Sequence, residues 1–159
     1  MEKAKHVTIY TDGACLGNPG PGGYGVILLY RGNRRELSGG YRKTTNNRME
    51  IIAAITGLEV LKEKCRVTLY SDSEYLVKAM SKGWVQRWRT NSWKRNKRDQ
   101  VLNPDLWKKL LQLCEYHNVR FSWVKGHAGS LENIRCDELA VQAAGQPNLP
   151  VDEGYIKEP

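Results

Sequence analysis

The chain has 159 residues, enough for one domain with its own core and too few for two ordinary ones. Apolar residues make up 40% and charged residues 26% of it, a normal globular balance with no run approaching the roughly 18–20 apolar residues of a membrane span. The formal charge of +8 is compatible with a polyanionic partner and equally with a solvated basic face.

Met1-Glu2-Lys3-Ala4-Lys5 lacks the apolar stretch of a secretory signal, so the expected location is the cytoplasm, with no membrane association. The cysteines, Cys15, Cys65, Cys114 and Cys136, form no C-x-x-C pair. Reduced, mostly buried thiols are expected rather than zinc ligands or disulfides.

Val7 to Tyr10 alternates apolar and polar residues and reads as a strand ending in Thr11-Asp12-Gly13. The Gly/Pro-rich run Gly17 to Gly23 reads as a loop. Tyr24 to Tyr30 and Glu36 to Tyr41 read as strands joined by a hairpin turn at Arg31-Gly32-Asn33. The short connections require antiparallel pairing. Thr44-Thr45-Asn46-Asn47 offers N-cap chemistry, and Met49 to Lys62 reads as a helix packed against the sheet. Arg66 to Tyr70 is a strand closed by Ser71-Asp72-Ser73, and Glu74 to Met80 a short helix.

Gly83 to Asp99 interleaves Trp84, Trp88 and Trp93 with Arg87, Arg89, Lys94, Arg95, Lys97 and Arg98. Asp105 to Tyr116 reads as an amphipathic helix and Val119 to Val124 as the last strand. A Gly-flanked loop around His127 leads to a last helix, Asn133 to Ala144. About residues 146–159 form a Pro-rich, acidic tail expected to be loosely held. The whole, residues 1–159, is expected to be one mixed α/β domain with five strands.

Three aspartates, Asp12, Asp72 and Asp137, stand at informative places, and Glu50 lies in the first turn of the central helix as read. Ligand sites of α/β sheets gather beyond strand ends. Each acid alone also has a bland reading, as a turn former or a helix-dipole partner. Two aspartates at the ends of neighbouring strands would repel, and a divalent cation is the usual compensation. An all-oxygen site suits Mg²⁺ or Mn²⁺ rather than Zn²⁺. His127 is read either as a proton shuttle or as an ordinary loop residue.

Tyr10 to Gly25 closely resembles the opening of the bacterial type 1 ribonucleases H. Thr44 to Glu50 resembles that family's second block and Ser71-Asp72-Ser73 its third. Trp123 to Gly129 and Asn133 to Ala140 resemble its last two, all in the family order. The resemblance implies a ribonuclease H-like fold, a five-stranded mixed sheet with helices on both faces. It implies Asp12, Glu50, Asp72 and Asp137 as metal-binding catalytic carboxylates, with two Mg²⁺ ions (Mn²⁺ substituting) and His127 assisting proton transfer or product release.

The implied substrate is an RNA–DNA hybrid, its RNA strand cut to leave 5′-phosphate and 3′-hydroxyl ends. Asn18, Asn47 and backbone and side-chain groups near Cys15 match substrate contacts, the two asparagines to the RNA strand, and Asn46 matches a DNA-strand contact. Thr45 and Asn103 match positions that hold a DNA phosphate. The basic, Trp-rich segment, including Trp84, Arg87, Trp88, Arg89 and Lys94, matches the family's DNA-gripping protrusion. Glu74 departs from the family pattern, which has Gln there.

A hybrid must be told from duplex DNA by its 2′-OH and from duplex RNA by groove shape, and glycines let a backbone approach closely enough to do so. The Gly-rich run also reads as no more than a tight connection. Trp84 and Trp88 fit one helix face, so a small satellite core competes with substrate stacking for them. A monomer with no protein partner is expected. The competing functional readings are a hybrid-binding module without catalysis, which would lack one or more of the carboxylates, and a strand transferase or resolvase of related fold, which would carry added domains.

Overall fold

The computed structural model describes residues 4–125 and 130–155. Strands β1 (Lys5–Cys15), β2 (Gly20–Tyr30) and β3 (Asn33–Thr44) form an antiparallel meander. Helix α1 (Asn46–Glu59) then crosses to β4 (Cys65–Ser71), which pairs parallel with β1. Helices α2 (Glu74–Ser81), α3 (Trp84–Thr90) and α4 (Pro104–Tyr116) lead to β5 (Asn118–Trp123), parallel to β4. Helix α5 (Leu131–Ala144) follows. The strand order is β3-β2-β1-β4-β5, the expected mixed sheet.

Strand alternation sorts the two faces. Val7, Ile9, Val26 and Leu28 join α1, α2 and α4 in the larger core. Tyr10, Ile27 and Leu29 point the other way and meet Cys136 and Leu139 of α5. The helix starts follow from local chemistry. The hydroxyls of Thr45, Ser73 and Ser130 accept from the backbone N–H three residues on, in α1, α2 and α5, and Pro104 opens α4, where its missing N–H costs nothing. No helix among the described residues is long and apolar enough to cross a membrane.

Four sequence expectations change. The Gly/Pro-rich run is mostly strand: β1 runs to Cys15 and β2 begins at Gly20. The reason is packing, since a Cβ at Gly23 would collide with the Ala140 carbonyl and one at Gly25 with the Cys136 carbonyl. These glycines let the α5 backbone lie directly on β2. Asp12 therefore sits inside β1, opposite Gly25, rather than at a strand end.

Helix α1 starts at Asn46, so its first turn holds no acid and Glu50 lies beyond it. The dipole reading of Glu50 loses its footing. Residues 84–90 of the basic segment are helical, as the spacing of Trp84 and Trp88 on one helix face suggested. Finally, the tail is tied down at Leu149 and Asp152. Arg42 Nε donates to the Leu149 carbonyl (2.9 Å), and the carboxylate of Asp152 is buried against Arg48 and Thr44.

Candidate active site

The parallel register places Thr11 of β1 opposite Ser71 of β4. Asp12 and Asp72 each follow one residue later, so the two carboxylates lie side by side. Glu50 reaches them from α1 because of Gly13. A Cβ there would stand 2.6 Å from the Glu50 nitrogen and 2.7 Å from the Met49 carbonyl carbon. Only glycine lets the α1 backbone approach β1 this closely. Around Asp72, Ser71 Oγ accepts from Ser73 N (3.0 Å), and Trp123 Nε1 donates to the Asp72 carbonyl (3.2 Å).

Asp12, Glu50 and Asp72 each present a carboxylate oxygen within 4.8 Å of the others. Asp12 is 5% exposed. Glu50 Oε2 and Asp72 Oδ1 are buried and have no hydrogen-bond partner among the described residues. Burial, reinforced by the Asp72 charge, pushes the Asp12 carboxyl up to about 8. Burial and the charges of Asp12 and Asp72 raise Glu50 well above its ordinary range. Like charges held together with orphaned oxygens are what a divalent cation relieves, and an all-carboxylate donor set suits a hard cation such as Mg²⁺.

Asp137 is on α5, outside the group of three, yet its charge is close enough to raise Asp12 further. The neighbouring Cys136 anchors that helix, its Sγ donating to the Tyr10 carbonyl (3.3 Å) two residues before Asp12. His127 lies outside the described residues.

A second group of expected residues comes together beside the cage. Asn18 Oδ1 accepts from Asn46 N (3.1 Å), binding the β1–β2 turn to the head of α1. Cys15 Sγ donates to the carbonyls of Gly20 and Thr44 (3.4 Å each). Asn18, Asn46 and Asn47 are exposed, whereas Cys15 and Thr45 are half-buried. Asn103, half-buried at the head of α4, accepts from Arg48 Nη1 (3.1 Å).

In the basic segment, Trp84 and Trp88 form a cluster with Tyr75 and Trp107, ring centroids 5.7–6.5 Å apart. Both rings are half-buried against the core, which is the satellite-core alternative. Arg87, Arg89 and Lys94 are exposed, with Arg89 paired to Glu115 (3.1 Å). Glu74 pairs with Lys78 across one helical turn (2.6 Å), which offsets its charge.

Sequence reasoning missed Arg48 and Asp152, a buried ion pair next to Thr45 and Asn103. A signal existed for Arg48: it is a charge just before Met49 and the apolar run Ile51 to Ile55, with Glu50 between them.

A carboxylate cage on the central strands of a β3-β2-β1-β4-β5 sheet defines a ribonuclease H-like nuclease fold. The RNase H family model matches residues 4–145. The chain is 68% identical over 148 residues to a ribonuclease H of Desulforamulus reducens, covering 93% of each chain. It is 60% identical over 153 residues to the ribonuclease HI of a Synechocystis species, covering 95% of each. Among solved structures it is similar to LC9-RNase H1, a type 1 RNase H with the type 2 active-site motif, with a TM-score of 0.81 and 35% identity over 91% of this chain and 74% of that one. It is also similar to LC11-RNase H1, solved in complex with RNA/DNA hybrid, with a TM-score of 0.65 and 27% identity over 87% and 96% of the two chains. The chain belongs to the RNase H family, in its bacterial type 1 branch, and is a nuclease of the hydrolase class.

Proposed function

We propose that this enzyme hydrolyses the RNA strand of RNA–DNA hybrids, using two Mg²⁺ ions for which Mn²⁺ can substitute, and leaves 5′-phosphate and 3′-hydroxyl ends. The observation that carries the reading is the cage of Asp12, Glu50 and Asp72, with Glu50 Oε2 and Asp72 Oδ1 orphaned and buried. Asp12, Glu50, Asp72 and Asp137 would hold the ions. Bound divalent cations supply positive charge to the attacking and leaving oxygens of a phosphodiester.

The chain's own residues do the rest. Asn18 and Asn47, exposed beside the cage, present side-chain hydrogen-bonding groups to the RNA strand, where the 2′-OH distinguishes RNA from DNA. Asn46, Thr45 and Asn103 meet the DNA strand. Arg87, Arg89 and Lys94 supply affinity that ignores sequence. Trp84 and Trp88 present their exposed edges to the DNA strand and anchor the segment through their buried faces. His127 moves a proton during hydrolysis or product release. The enzyme works as a monomer in the cytoplasm under this reading.

The test is a panel of labelled duplexes, hybrid, DNA and RNA, each incubated with Mg²⁺, followed by analysis of the product ends. Cleavage confined to the RNA of the hybrid, with 5′-phosphate ends, is expected. Binding of the hybrid without cleavage would instead establish a non-catalytic binding module.

A further inference from the structure

The side chain of Arg48 is 2% exposed, although its charge is permanent. All five of its N–H donors are occupied. Nε donates to Asp152 Oδ2 (2.7 Å), and Nη2 to Asp152 Oδ1 (3.0 Å) and Asp105 Oδ2 (2.8 Å). Nη1 donates to Asp105 Oδ1 and Asn103 Oδ1 (3.1 Å each). A guanidinium has no acceptor atom, so the Asn103 atom facing Nη1 has to be the carbonyl oxygen. Arg48 thereby fixes which way the Asn103 amide points and leaves its two N–H donors on the far side.

Asn103 is half-buried, in the left-handed region (φ 59°), and makes no side-chain capping bond to α4. The other end of Arg48 is tied to Thr45, whose Oγ1 accepts from the Arg48 backbone N–H (3.2 Å). One residue therefore joins the heads of α1 and α4, and the positive end of the α1 dipole, which has no acid in its first turn, favours an anion there.

We infer that Arg48 is a positioning residue for a phosphate of the DNA strand, holding the Asn103 donors in place before the hybrid arrives. The inference rests on the proposed hybrid reading and deepens it. Arg48 is buried behind Asn103 and acts through it, not on the substrate. Lysine keeps the charge but offers three donors from one point, so it cannot serve Asn103 while spanning both aspartates. Asp152→Asn keeps an acceptor oxygen at the tail. Arg48 remains held by Asp105 and Asn103 in that variant.

The experiment compares the full-length wild type with Arg48→Lys, Asn103→Ala, the double variant and Asp152→Asn. It reads steady-state cleavage of a labelled hybrid with Mg²⁺, below the melting temperature of every variant. Arg48→Lys and Asn103→Ala should each raise KM roughly tenfold to a hundredfold, the loss of one hydrogen bond to a charged acceptor, with kcat little changed. The double variant should be no worse than either single one, because both remove the same hydrogen bond to phosphate. Asp152→Asn should lower Tm and leave KM alone, which separates positioning from simple stability.

An Arg48→Lys variant with wild-type KM, or a double variant whose KM multiplies the two single effects, would overturn the inference. Should Arg48→Lys fail to fold, the wild type decides by NMR. The Asn103 side-chain NH₂ should be rigid in the free protein and shift on hybrid binding, and a freely rotating amide would overturn the inference. A wild type that leaves the hybrid uncut would be a different failure, since it removes the proposed function itself.

Discussion

Arg48 and Asp152, 104 residues apart in the chain, form a buried two-point ion pair with N–O distances of 2.7 and 3.0 Å. The pair fastens the end of the described chain to the start of α1, two residues before Glu50. Removing one partner of a buried pair leaves the other charge stranded. Asp152→Ala is expected to cost about 3 kcal/mol, at the low end for such pairs because Asp105 still faces Arg48. Truncation after residue 148 should cost at least as much. Urea denaturation at neutral pH measures both, and an unchanged midpoint would mean the tail contributes nothing to the fold.

Most of the fold was legible because its signals are local. The unbroken apolar run Val26 to Leu29 of β2 announces a strand with two buried faces, and Thr45 and Ser73 start helices through their own hydroxyls. What misled was non-local. Gly23 falls in a run that reads as a loop and Gly25 in a strand, and what the two do appears only when α5 lies on them. Asp152 looks like one more acid in a Pro-rich tail until Arg48 is found opposite it. The cage was legible as spacing and motif, but the part Gly13 plays in bringing Glu50 to Asp12 depends on backbone proximity that no pattern encodes.

The close packing of α5 gives a direct test. Gly25→Ala places a methyl group against the Cys136 carbonyl, and overpacking of this kind should cost about 2 kcal/mol. Because α5 also carries Asp137, activity should fall even at temperatures where the variant is folded. Gly145→Ala is the control, since its Cβ would meet only ordinary contacts at 3.7 Å. Equal melting temperatures for the two variants would contradict the packing account.

The raised carboxyl of Asp12 makes metal-free stability depend on pH. Below its ordinary value of 3.8 the carboxyl is protonated in both the folded and the unfolded chain, and no penalty exists. As pH rises the unfolded chain releases the proton first, while the folded one holds it until about pH 8. Stability is therefore lost progressively across that window and levels off above it. Asp12→Asn lacks this titration. Its Tm advantage over wild type in EDTA should widen from pH 5 to pH 8 and then flatten, and a gap independent of pH would show that Asp12 carries no such burden.

Arg87 and Lys94 are exposed, while Arg89 and Arg95 are held by Glu115 and Asp99 in exposed pairs that phosphate can displace. Replacing all four by Ala should weaken hybrid binding and reduce the slope of log affinity against log salt by about one for each phosphate no longer neutralised. The turnover number at saturation should change far less. An unchanged salt slope would place the phosphate-binding groups elsewhere on the molecule.

The Asp12, Glu50 and Asp72 cage is expected to work by holding divalent metal. Cleavage of a labelled RNA–DNA hybrid across a Mg²⁺ titration, beginning in EDTA, tests it most directly when wild type is run beside Asp12→Asn and Asp72→Asn. The expected result is no cleavage by wild type in EDTA, full cleavage on adding Mg²⁺, and near-complete loss in both variants at every Mg²⁺ concentration, with folding intact by circular dichroism. Undiminished wild-type cleavage in EDTA, or wild-type activity in either variant, would contradict the claim.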